Sequence, residues 1–385
     1  MYILKQTLSS FVVDYSFFYK LSALSRCKTY KKSRLRDIDI RTLLGHDAQT
    51  IMIGMHNSLL VLSPSSSTKV YEQLKGTQPQ SVIFDPNNPS YAYCGTFGNG
   101  LWKTEDRGQT WDVIGKDTIS SPNIMSVSIS HNHGNRCNKI YVGTEPSALY
   151  ISNDNGHSWE EMDAINNLPS STSWSFPPRP WTHHVRWIEP DLNNIDNVFV
   201  AIEAGALIKS TDGGRTWIDR AKHGPYDTHT LSTHLKAPGR LYSSAGDGYF
   251  ESLNYGETWK ELTSGLRHQY LYGLAVDSGD PNTIIVSASF GPSTSYVVED
   301  AESLIYRKSL EEELWKPISN GLPDSSGTTI ATLVANPKIA GEFYAVNNHG
   351  VFNSVDSGLS WNRLDIQWPK EYYLQSPRGF AIAYN

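Results

Sequence analysis

Cysteine is almost missing from this 385-residue chain, with only Cys27, Cys94 and Cys137 present. An odd, sparse count without CxxC spacing makes neither a disulfide framework nor a zinc motif, and points to a reducing, cytoplasmic setting. Long apolar runs are missing as well. The nearest, FVVDYSFF at 11–18, is broken by Asp14 and falls far short of the roughly 20 residues that span a bilayer. There is no excess of positive charge: the formal net charge is −6, which offers nucleic acid no basic face. Residues 20–36, with seven basic side chains and no acidic one, are the local exception. They belong to an N-terminal extension, 1–45, that lacks the apolar core and small residues of a cleavable signal. That extension reads as a poorly ordered start or a targeting segment. Helical periodicity is also absent; the apolar residues alternate in short runs.

What the chain has is repetition. STDGGRTW at 210–217 recurs as TEDRGQTW (104–111), SNDNGHSW (152–159), SLNYGETW (252–259) and SVDSGLSW (354–361), with a shorter copy, SLEEELW, at 309–315. The tryptophans at 111, 159, 217, 259, 315 and 361 are 48, 58, 42, 56 and 46 residues apart, a spacing that means stacked supersecondary units. Within each unit, β-branched and aromatic runs such as SVIFDP, YAYCGT and GLWKT lead into the box, and another strand starts at its tryptophan. Four antiparallel strands per repeat build a propeller blade. The run 51–72 supplies three strands without a first, and GFAIAYN at 379–385 supplies a first strand without partners. The expectation is therefore an all-β, seven-bladed propeller over 46–385, closed by its C-terminal strand beside the N-terminal three.

The box is the hairpin between third and fourth strands. Asp106, Asp154, Asp212, Asn254 and Asp356 would accept backbone N–H groups in Asx-type turns, a glycine would supply positive φ, and Trp111, Trp159, Trp217, Trp259 and Trp361 would anchor each hairpin by burial. The degenerate copy at 309–315 should form a different turn. The pattern S/T-x-D-x-G-x-T/S-W resembles the Asp-box (BNR) repeat of sialidases, sortilin-type receptors, xyloglucanases and photosystem II assembly-factor propellers. Five good copies are specific for the fold. They say little about function, because that superfamily holds enzymes and pure binders alike.

Repeated box residues are structural, so function is sought on the opposite rim, where second-to-third and fourth-to-first loops lie. The unusual loops gather in blades four to six: WSFPPRPWTHHVRW (174–187), HGPYDTHTLSTH (223–234), GLRHQYLYGL (265–274) and SFGPSTSYVVEDAESL (289–304). Aligning first strands on the residues that end them, Glu189 among them, puts His184, His229 and Tyr272 at one height on adjacent strands. Three readings compete. His184, His229 and His268, with Glu203 or Asp227, can hold a divalent metal. Glu203, Asp227 and Glu302, with His184 or His229 moving protons, can perform acid–base hydrolysis of a glycan. Trp174, Arg179, Trp181, His183, Arg186, Arg267, His268, Tyr270 and Tyr272 can bind a glycan, small molecule or protein without chemistry. Each residue taken singly is also explained as a satisfied polar group of the rim. A true sialidase is disfavoured. Arg186, Arg267 and Arg378 leave an arginine grip open, but the Phe/Tyr-Arg-Ile-Pro motif of those enzymes is absent and seven blades replace their six. The expected function is a glycosidase-like hydrolase or glycan-binding relative, with a non-catalytic assembly propeller as the alternative.

Overall fold

The computed structural model describes residues 50–62, 69–130 and 138–384, all within the second of two compact units, Ala48–Asn385. The extension at 1–45, Cys27, Cys137 and Asn385 lie outside the described residues. The alternating runs form short antiparallel strands in seven sheets. The first strands of these sheets are Gly379–Ala383, Gln78–Phe84, Ile124–Ile129, Val185–Pro190, Thr228–Ser232, Tyr270–Val276 and Thr332–Ala335. All seven line one channel of about 600 Å³, so the chain is a seven-bladed β-propeller. Blade 1 is composite: Thr50–Gly54 pairs antiparallel with Gly379–Ala383 from Thr50↔Ala383 to Gly54↔Gly379, and this pairing closes the ring.

Six sheets have four strands; blade 4 has three. Its fourth strand is reduced to one bridge, Lys209↔Ile218. The chain turns away immediately afterwards because Asp219 accepts both the backbone N–H (2.8 Å) and the hydroxyl (2.5 Å) of Ser170 in the long insertion.

Apolar faces pack between blades, with buried clusters such as Ala275, Ile285, Ile305, Phe343 and Trp361 joining blades 6 and 7. In the box at 210–217, Asp212 accepts the Thr216 N–H (2.9 Å) and the hydroxyls of Thr216 (2.6 Å) and Ser210 (2.8 Å), while Gly214 N–H donates to Ser210 Oγ (2.8 Å). Each good copy places two successive residues at positive φ, for example Asn155 and Gly156, so glycine is needed only where the turn closes on neighbouring side chains. The copy at 309–315 does turn differently. Glu312 pairs with Arg307 (2.6 Å) and accepts the Ser309 hydroxyl (3.1 Å), and Trp315 Nε1–H donates to Leu262 O of blade 5 (2.7 Å).

A recurring bulge positions the site. In blades 2 to 6 the first strand slips register against the second, at Gln80, Met125, Arg186, His229 and the Tyr272–Gly273 pair. A bulged residue leaves the ladder, and its side chain is re-aimed. This corrects the sequence alignment of blade 4. The Glu189-Pro190 pair imitates a strand-ending Asp-Pro, yet Pro190 still pairs with Val198, and the residue that follows the strand is Asp191, as Asp85 follows Phe84 in blade 2. Asp191 Oδ1 caps Asn193 N–H as Asp85 Oδ1 caps Asn87 N–H. Arg186, not His184, is therefore the counterpart of His229 and Tyr272.

Candidate functional site

Glu203 follows the second strand of blade 4, Val198–Ile202, in the turn to the third. The next residue, Ala204, has φ +48°, a conformation that costs a residue with a Cβ. Its N–H donates to Asp227 Oδ1 at 2.8 Å, and Gly205 N–H donates to Tyr226 O at 3.2 Å. The turn of blade 4 is thus tied to the segment entering blade 5, and the two carboxyl groups are brought together. Asp247 accepts the N–H groups of Tyr226 and Asp227, both at 3.2 Å, and holds that segment from the other side.

Three basic groups converge on Glu203. His184 Nε2 is 2.8 Å and Arg186 Nε 3.3 Å from Oε2; His229 Nε2 is 3.9 Å from Oε1 and 3.7 Å from Asp227 Oδ2. His184 Nδ1 faces Glu145 Oε2 at 3.3 Å, off the hydrogen-bond line, and Arg179 grips Glu145 with two bonds of 2.9 and 2.6 Å. A relay of alternating charge therefore runs from the insertion to the rim: Arg179, Glu145, His184, Glu203, Arg186. The Arg186 guanidinium lies 4.9 Å over the Tyr272 ring, and both side chains line the channel, so the cluster stands at the channel's end. His229 packs against Tyr270 and Tyr272, and Tyr270 shares a 2.9 Å hydroxyl–hydroxyl bond with Tyr296.

The two carboxyls are pushed in opposite directions. Burial alone would raise Glu203, but the His184 bond and the charges of His184, His229 and Arg186 outweigh it and hold the group at about 2. For Asp227, burial dominates and, with the Glu203 charge, outweighs His229 and raises it above the ordinary value. Burial opposes a charged His184; Glu145 and Glu203 on its two sides overcome that and raise it.

Of the residues anticipated from sequence, Glu203, Asp227, His184, His229, Arg186, Tyr270 and Tyr272 come together here. Glu302 and His268 do not join them: His268 bonds Tyr306 Oη through Nδ1 (2.7 Å) and faces Glu302 at 3.9 Å. Among the described residues the donor atoms that gather within 4.8 Å of one another are those of Glu203, Asp227 and His229, so the three-histidine metal site expected from sequence is not formed. Arg267 is exposed and stacks over Phe290. Trp174 is buried in the insertion's core, its Nε1–H donating to Ser170 Oγ and its ring packed on His183, so it supports the loop and presents no face to a ligand. Trp181, by contrast, is 80% exposed. Sequence reasoning overlooked Glu145, Gly246 and Tyr296. Glu145 and Gly246 each follow the second strand of their blade, the position Glu203 holds in blade 4, so the signal was present in the repeat.

No protein-family profile matches the chain. It is similar to a xyloglucanase of Hypocrea jecorina, 24% identical over 333 residues, covering 86% of this chain and 36% of that protein. The xyloglucanase Xgh74A of Acetivibrio thermocellus is 25% identical over 229 residues, 54% of this chain and 22% of that protein. The chain thus spans about a third or less of these curated relatives. Among solved structures, an ancestral GH74 enzyme superposes with a TM-score of 0.58 at 15% identity, over 80% of this chain and 38% of that one. YCF48 bound to D1 peptide superposes at 0.54 and 17% identity, over 84% and 86%. These structural likenesses show the fold. Among the described residues no helix is long and apolar enough to cross a membrane.

Proposed function

We propose that this propeller engages glycans at the channel mouth as a glycosidase-like protein, with Glu203 as the residue that meets the ligand. The observation that carries the reading is the state of that side chain. It is a carboxylate held ionised at a concave rim, gripped through one oxygen by His184 and Arg186 and bordered by tyrosine faces. Such a group can accept sugar hydroxyls or face the positive charge that develops at an anomeric carbon. The similarity to xyloglucanases supports the glycan class. The five repeated turns are read as Asp-boxes of the same superfamily.

The purified 385-residue chain assayed against xyloglucan oligosaccharides, other β-glucans and chromogenic glycosides tests this. Binding, or binding with reducing-end release, is expected. Glu203→Gln should reduce turnover by on the order of 100-fold or more, or abolish binding, while circular dichroism stays that of the parent. Neither binding nor turnover across the panel would overturn the reading. A second reading, a non-catalytic propeller that grips a polypeptide, is supported by the size match to YCF48 bound to D1 peptide, 86% of whose chain the superposition covers. It would be favoured by that same negative result.

A further inference from the structure

Glu203, Asp227 and His229 each use one polar atom to hold position and direct the other at a common point. Glu203 Oε2 is taken by His184 and Arg186, which leaves Oε1 facing His229. Asp227 Oδ1 accepts Ala204 N–H, which leaves Oδ2 facing His229. His229 Nδ1 lies 2.6 Å from Leu271 O. A carbonyl only accepts, so Nδ1 carries the hydrogen, and in the neutral imidazole, the form that binds a metal, Nε2 bears the lone pair. That Nε2 belongs to a side chain only 1% exposed, has no hydrogen-bond partner, and points at two carboxylate oxygens 3.7 and 3.9 Å away.

With the imidazole neutral, three acceptors face one another with no donor between them, and a cation in place of the Nε2 proton would satisfy all three. One donor atom from each residue lies within 4.8 Å of the other two. Small side-chain torsions would bring all three to metal–ligand lengths of about 2.0–2.2 Å. We infer that Glu203, Asp227 and His229 form a binding site for a divalent first-row transition ion. The imidazole ligand favours manganese to zinc over calcium or magnesium, which prefer all-oxygen sets. The surroundings match what metal sites need around their ligands. The histidine is oriented by a backbone carbonyl, and both carboxylates are hydrogen-bonded through the other oxygen. Gly246 completes the site, because a Cβ there would collide with Asp227 Oδ2. This ligand set keeps His229, Glu203 and Asp227 from the sequence expectation and leaves out His184 and His268, and three protein ligands leave coordination positions for a ligand's oxygens.

The test uses the untagged 385-residue chain, stripped with chelator and titrated calorimetrically with Mn²⁺, Zn²⁺ and Ca²⁺ in turn. One saturable Mn²⁺ or Zn²⁺ site per chain is expected, with Ca²⁺ much weaker. His229→Ala and Asp227→Asn should each weaken it by on the order of 100-fold or more. Gly246→Ala, which removes no ligand, should also weaken it, and His268→Ala should leave it unchanged. Thermal unfolding of the metal-free variants shows which are folded; should His229→Ala fail, Asp227→Asn and Gly246→Ala decide. Absence of stoichiometric binding, or equal affinity in the folded variants and the parent, would overturn the inference. Because the metal alone is the probe, that failure would leave the glycan reading to its own assay.

Discussion

Glu189 lies in the first strand of blade 4 and lines the channel. It accepts hydrogen bonds from Thr233 N–H (3.0 Å), Thr233 Oγ1–H (3.3 Å) and Trp187 Nε1–H (3.2 Å), yet burial outweighs them and raises its carboxyl from the ordinary 4.5 to about 7. A carboxyl raised on folding favours the native state in its protonated form. Its contribution is complete below pH 4.5 and is lost as pH rises through 7. The difference corresponds to about 3 kcal/mol at most, and to less here because the half-buried side chain faces channel water. Urea unfolding of the parent should therefore weaken between pH 4.5 and 7.5 relative to Glu189→Gln; parallel pH profiles would contradict the assignment. Glu189 also shows where residue-level reading ran out. Its Glu-Pro pair matched the strand-ending pattern, and only hydrogen bonding at Asp191 revealed the two-residue offset. Glu203 was legible because a lone acid closed an apolar strand. Its partnership with Asp227 was not, because it depends on the positive φ of Ala204 and on a contact between two blades.

The box shows which elements carry stability and which only repeat. Trp361 is 2% exposed and is packed between blades 6 and 7, whereas Trp217 is half-buried beside the shortened strand of blade 4. Trp361→Ala is expected to cost about 3–5 kcal/mol in urea unfolding, as for a large buried aromatic, and Trp217→Ala distinctly less. Equal losses would mean that the hairpin, not the packing, sets the cost. The strands themselves were readable from alternation and β-branched content. The fourth strand of blade 4 was not, because Asp219 is drawn off by Ser170, a residue 49 positions away. The bulges at Arg186 and His229 were equally hidden, since a slipped ladder needs both of its strands to be seen.

For the whole molecule, closure is the decisive contact. Five residue pairs between Thr50–Gly54 and Gly379–Ala383 join the ends of the ring and cover two edges that would otherwise be open to aggregation. Deleting 379–385 should abolish the single cooperative thermal transition and promote association, as read by calorimetry and light scattering; an unchanged transition would show that the ring holds without its latch. By itself the sequence determined the all-β class, the seven blades, the composite closing blade and the rim on which polar residues gather, because period, alternation and turn chemistry are local properties. Only the tertiary structure decided that Arg186 stands level with His229 and that His268 belongs elsewhere. It also decided that Glu203, Asp227 and His229 share one point, since those positions depend on bulges and on turns of neighbouring blades bonded across long stretches of chain.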